Sequence, residues 1–131
     1  MSREIKFRAK CSNSSKFTFV YGYFTKDYVN TSYVTDVTGE STSYVDENTL
    51  GQFTGLKDKN GKEIYEGDIV SYCSEIHQVV FQDCAFMYAV IKPKDFIVES
   101  IFETHKTMTR SSFLCEVIGN IHENHELLTQ H

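Results

Sequence analysis

At 131 residues the chain is one domain by size, long enough to bury a core without disulfide or metal staples. Hydrophobic content of 40% and charged content of 24% are those of an ordinary globular protein, and 8 Tyr plus 10 Phe against a single Pro favour sheet. A net charge of -5 counts against a protein whose main task is gripping phosphate backbones, and no apolar run approaches the roughly 18 residues that span a bilayer.

Residues 3–9 alternate, with Ile5, Phe7 and Ala9 on one face and Glu4, Lys6 and Arg8 on the other, which predicts a half-buried strand. After a polar loop from Cys11 to Lys16, Phe17 to Phe24 is a second strand with Phe17, Phe19, Tyr21 and Tyr23 on one face, paired with the first as a hairpin. Such a stripe is most often core. Thr25 to Ser43 predicts one or two short, exposed strands, anchored by Tyr28, Tyr33, Val34 and Val37. Asp46 to Gly51 reads as a single helical turn with Asp46 as N-cap and Gly51 closing it in a left-handed conformation.

Residues 52–70 organise the rest. Asn60-Gly61 marks a hairpin, because Gly takes positive φ without a Cβ clash. A two-residue loop would set Lys59 against Lys62 and Asp58 against Glu63, like charges in both cases. A three-residue loop with Gly61 left-handed and a bulge pairs Asp58 with Lys62, Lys57 with Glu63 and Leu56 with Ile64, so this register is preferred. Glu66-Gly67-Asp68 then turns the chain into a strand at Ile69-Val70 that enters the core. His77 to Phe81 and Ala85 to Ile91 are two more strands joined at residues 82–84. Residues 95–108 fit a helix behind an Asp95 N-cap, through Val98, Ile101, Phe102 and His105, although Phe96 and Val98 also fit a strand; a short helix is preferred. Leu114 to Ile121 is the last strand, and Asn124 can cap a terminal turn over residues 125–128.

Three blocks, Arg3-Glu-Ile-Lys-Phe-Arg-Ala9, Gln52 through Val70, and Glu116-Val-Ile-Gly-Asn-Ile-His-Glu-Asn-His-Glu-Leu-Leu128, resemble in order and spacing the YopX family of bacteriophage and prophage proteins. The resemblance implies a small, mainly β protein from phages or prophages of Gram-positive bacteria, with no assigned catalytic residue. The chain departs from the family pattern at His125, where the family has Pro, at Cys84, where it has Gly, and at Lys10-Cys11, where an aromatic-Asp pair is usual.

Cysteines 11, 73, 84 and 115 lack a paired spacing, which suits free thiols in a reducing compartment. The N-terminus has no signal-peptide core, so a cytoplasmic location is expected. Cys73, His77 and Cys84 are the nearest approach to a metal set, but they lack a Cys-x2-Cys knuckle, and free cysteines with an exposed His are the simpler reading. Glu63, Glu66 and Asp68 resemble a carboxylate cluster, yet near a hairpin acidic residues are usually solvated, and Asp68 after Gly67 suits a turn residue bonding backbone N–H groups. Phosphate loops, nucleophile elbows and zinc-protease helices are absent from the sequence.

The expected fold is mainly β, all-β to α+β: an N-terminal antiparallel β segment over about residues 1–50, packed on a small SH3-like or open barrel over 51–131, with one to three short helical turns. The expected function is a non-enzymatic binding protein without metal or cofactor that engages a host bacterial protein, as in counter-defence or host takeover. Recognition would use the hairpin tip, Lys57, Asp58, Lys59, Asn60 and Lys62, and the Tyr-rich segment with Tyr28 and Tyr33, because loops on a rigid scaffold carry binding. The tip residues could equally be solvated decoration. Exposed edges make a homo-oligomer plausible. The alternatives are a nucleotide or single-stranded nucleic-acid binder, using the aromatic stripe with Lys6, Arg8, Lys10 and Lys16, and a hydrolase using Glu66 and Asp68.

Overall fold

A computed structural model describes residues 4–12, 18–72, 75–82, 85–91, 105–107 and 115–124. The chain divides into two compact units, Met1–Gly55 and Leu56–His131.

The first unit contains β1 (Phe7–Lys10), β2 (Phe19–Lys26), β3 (Ser32–Thr35), β4 (Thr42–Tyr44) and the start of β5 (Gly51–Lys57), in the antiparallel order β4-β3-β2-β1-β5. Its inner face buries Ala9, Val34 and Val45, with Val20, Phe24 and Leu50 packed against them. A bridge between Cys11 and Val45 brings the chain after β4 back to the end of β1, supported by Ser12 N–H to Tyr44 O and Asp46 N–H to Lys10 O. This curl depends on Gly22. Its φ is +153°, and a Cβ there would lie 1.9 Å from the Thr35 carbonyl oxygen, a distance no side chain permits.

Tyr21 and Tyr23 of the aromatic stripe are a correction to the expected core, because the small inner residues opposite them form the core instead, and Phe17 lies outside the described residues. Tyr21 is 47% and Tyr23 52% exposed. Arg8, expected on the outer face, is buried with its guanidinium carbon 4.4 Å from the Phe19 ring centroid. Between Val45 and β5, Glu47–Thr49 form a 3₁₀ turn capped by Asp46, whose carboxylate accepts from Asn48 N–H, in agreement with the sequence. The turn's end differs: Leu50 is extended and Gly51, opposite Arg8 in the ladder, begins β5 rather than turning left-handed.

The second unit holds the end of β5, then β6 (Glu63–Tyr65), β7 (Asp68–Tyr72), β8 (Glu75–Gln82), β9 (Ala85–Val90), β10 (His105–Thr107) and β11 (Glu116–Asn120). Strands β10-β9-β8-β7-β11 form an antiparallel sheet, and among the described residues no pairing closes β10 onto β11, so the sheet is open. Ile64, Val70, Val79, Tyr88 and Cys115 make the core, with Leu56, Phe86 and Val117 packed around it. The β5–β6 turn has the register that its charges predict. Gly61 is left-handed at φ 80°, Gly61 N–H meets Asp58 O, Asp58 N–H meets Lys62 O, and Leu56 and Ile64 enter one cluster.

Two expectations change here. His77 is buried rather than exposed, because on β8 it shares the inward row with Val79 and lies beside Tyr88 at 5.5 Å between ring centroids. Residues 105–107, given to a helix, form β10 on the edge of β9, while 95–104 and 108 lie outside the described residues, as do Cys73, Cys84 and the turn 125–128. Asn120 caps the turn directly after β11, accepting from the N–H groups of His122 and Glu123, while the Asn124 side chain accepts from Asn120 N–H; the turn 125–128 that Asn124 is expected to cap lies outside the described residues.

Candidate binding surface

The β2–β3 turn is built by one carboxylate. Asp27 Oδ1 accepts from Val29 N–H at 3.0 Å and Thr31 N–H at 2.9 Å, and Oδ2 accepts from the Tyr33 hydroxyl at 2.9 Å. Asp27 N–H to Thr31 O and Asn30 N–H to Asp27 O close the loop, with Asn30 left-handed at φ 72°, a conformation Asn tolerates best after Gly. The Thr31 N–H holds the Asp27 carboxyl below the usual range; burial opposes this, and the Tyr33 and Val29 bonds reinforce it. Tyr33 is pushed up to about 12, first by its bond to Asp27, then by burial and by Tyr44. A locked frame therefore carries Tyr28, 100% exposed, with Val29 beside it.

On the outer face of the same strands the ladder sets out two rows, Tyr23-Thr35-Thr42 and Thr25-Tyr33-Tyr44. The Tyr33 and Tyr44 rings lie 5.0 Å apart between centroids, and Thr35 and Thr42 hydroxyls are 2.9 Å apart. Farther along β2, the neighbouring cations are sunk into the surface. Lys6 Nζ is 2.9 Å from Glu4 and 5.1 Å from the Phe53 centroid, and Lys10 Nζ is 5.6 Å from the Phe19 centroid.

The hairpin tip has structural duties. Asp58 is only 5% exposed, and its carboxylate accepts from Asn60 N–H at 2.8 Å, Lys62 N–H at 2.9 Å and, across 59 residues, Val117 N–H at 2.9 Å. Lys59 N–H donates to Cys115 O and the Asn60 amide to Glu116, so the tip seals the outer edge of β11. Burial raises the Asp58 pKa, but the N–H groups of Val117, Lys62 and Asn60, with the Lys62 charge, outweigh it and hold the carboxyl below its usual range. Lys57, Lys59, Asn60 and Lys62 remain exposed. Thus Tyr28 and Tyr33 share one turn in the first unit, while the five tip residues share another in the second.

Among the carboxylate candidates, Asp68 and Glu63 make contacts of the fold, and Cys115 lies in the core. Asp68 is 1% exposed and accepts from Tyr65 N–H at 2.8 Å, as a turn residue should, and Glu63 accepts from the Tyr65 hydroxyl. Burial pushes the Cys115 thiol up, with a counteracting bond from Tyr88 and a further rise from the Asp58 and Asp68 charges, so it is no nucleophile. Among the described residues no three His, Cys, Asp or Glu side chains assemble into a metal site. An open hollow of about 410 Å³ lies between Cys11, Ser12, Asn30, Ser32, Asp46 and Thr49 in the first unit.

Sequence reasoning missed Asp27, Tyr23 and Tyr44 as parts of one surface. The signal was present for Asp27, an Asp opening an Asp-Tyr-Val-Asn turn. Tyr44 could be placed beside Tyr33 only once β4 was paired.

Fold and surface together define a small, mainly β protein with rigid, aromatic turns. The model of the family described as YopX protein matches residues 6–129, and the chain belongs to this family. It is similar to the crystal structure of protein EF1440 from Enterococcus faecalis, at 26% identity and a TM-score of 0.54, over 97% of this chain and 99% of that one. No curated protein matches the chain. Among the described residues no helix is long and apolar enough to cross a membrane.

Proposed function

We propose that this YopX-family member is a non-enzymatic binding protein of a phage or prophage, acting in the bacterial cytoplasm by docking onto a host protein in counter-defence or host takeover. One observation carries the reading: Tyr28 stands wholly in water on a turn that Asp27 fixes through three hydrogen bonds. A free loop would relax to cover its aromatic residue. A frame that holds the ring out has met the ordering cost before any partner arrives, which is the condition for a strong anchor. The surrounding Tyr, Thr, Ser and Asn residues supply rigid contact area and adaptable hydrogen bonds, the mixture found on binding loops. A turn with an idle Tyr is the plain alternative.

Affinity capture from host lysate separates the readings. A stoichiometric host protein, lost with Tyr28→Ala, is expected. Retained nucleotide or oligonucleotide would replace it with the nucleic-acid reading, and turnover abolished by Asp68→Asn with the hydrolase.

A further inference from the structure

We infer that the outer face of β2, β3 and β4, with its two turns, takes a cationic segment of the partner, an Arg- or Lys-bearing stretch of protein chain; this rests on the reading that Tyr28 docks a protein. The face is built from open π-surfaces. Tyr23 is 52% and Tyr44 49% exposed, Tyr28 is fully so, and Tyr33 is fixed between Asp27 and the Tyr44 ring. The negative faces of such rings attract ammonium and guanidinium groups.

The surrounding charge has the same preference. Residues 25–50 contain one base, Lys26, against Asp27, Asp36, Glu40, Asp46 and Glu47. Lys26 is already matched, its Nζ 2.8 Å from Glu47. Asp36, in the β3–β4 turn, is held below the usual carboxylate range first by the Thr38 hydroxyl, then by the N–H groups of Glu40, Thr38 and Gly39, with burial opposing, so it stays ionised at neutral pH. Glu40 is exposed on the same turn. A cation approaching from solvent therefore meets carboxylates at the turns and π-faces between them, whereas a phosphate chain meets like charge. The described bases on β1 and just before it do not alter this, since Arg8 is 5% exposed, the Lys6 side chain is 14% exposed and paired with Glu4, and Lys10 is half-buried with its Nζ 5.6 Å from the Phe19 centroid. Arg suits the face better than Lys, because its weakly hydrated, planar group stacks on Tyr.

The test uses the full chain and three fluorescein-labelled probes: an alternating Arg-Gly dodecapeptide, its Glu-Gly counterpart and an oligothymidine strand. By fluorescence anisotropy the Arg-Gly probe should bind alone, and more weakly as salt rises. Tyr44→Ala and Glu40→Gln should each weaken it about fivefold or more, and Glu123→Gln, in the second unit, should leave it unchanged. Glu40→Gln removes no packing, so it decides the matter if Tyr44→Ala melts early. Equal binding of either anionic probe, no binding of any probe, or equal weakening by Glu123→Gln overturns the inference. Capture of a host protein through Tyr28 without Arg-Gly binding would overturn the cationic partner alone and leave the docking role standing.

Discussion

Asp58→Asn replaces one carboxylate oxygen with an NH₂ group where three N–H donors converge, at 2.8, 2.9 and 2.9 Å. If the remaining carbonyl serves Asn60 and Lys62, the new NH₂ faces Val117 N–H, donor against donor. If it serves Val117, the turn loses both its bonds. Bonds to charged groups contribute about 1.5–3 kcal/mol each, and a donor left facing a donor adds its own desolvation, so the loss should be ~2–4 kcal/mol. That is a large share of a total stability of about 5–15 kcal/mol. Urea denaturation at pH 7 measures it, and hydrogen exchange at the Val117 amide shows whether β11 has been released. The pH dependence follows from the same carboxylate. Its folded pKa lies below the unfolded value, so its contribution is complete above about pH 4 and is lost as pH falls through the folded value. The gap between wild type and Asp58→Asn should close in acid. A loss under ~0.5 kcal/mol at pH 7, with Val117 still protected, would refute the reasoning.

Other outcomes follow from single contacts. Gly22→Ala must place a methyl 1.9 Å from the Thr35 carbonyl oxygen in a conformation L residues avoid, so the first unit should lose at least ~3 kcal/mol or fail to fold, read by thermal melting. Ile64→Ala empties the centre of the second core and should cost ~2–5 kcal/mol in urea. Tyr28→Ala should leave stability within ~0.5 kcal/mol, since the ring touches solvent only, while abolishing capture. Cys115 should resist iodoacetamide at pH 8 in the native protein and react once denaturant exposes it, as mass spectrometry of the alkylated peptide reports.

Local chemistry made the central hairpin legible: Gly61 had to be left-handed, and the charges of Asp58, Lys62, Lys57 and Glu63 selected one register. What Asp58 does was hidden, since its decisive partner, the Val117 N–H, is 59 residues away and belongs to a strand with no local mark of that contact. Period two placed Phe19, Tyr21 and Tyr23 together but could not say which side of β2 faced the core. Size suggested the aromatics, whereas the curl of the sheet left room inside only for Ala9, Val34 and Val45 and their neighbours. His77 could have been read correctly, for it alternates with Val79 on a strand paired on both sides. Composition marks Tyr28 and Tyr33 as a recognition segment, but the Asp27 clamp that gives Tyr28 its rigid exposure is a property of the folded turn.

The most direct test of where this protein binds is a hydrogen-exchange comparison of the free chain with its complex with a captured host protein. Slowed exchange concentrated at residues 27–31 and 42–44 is the expected result. Protection confined to residues 56–124, with the Tyr28 turn exchanging as fast as in the free chain, would contradict it.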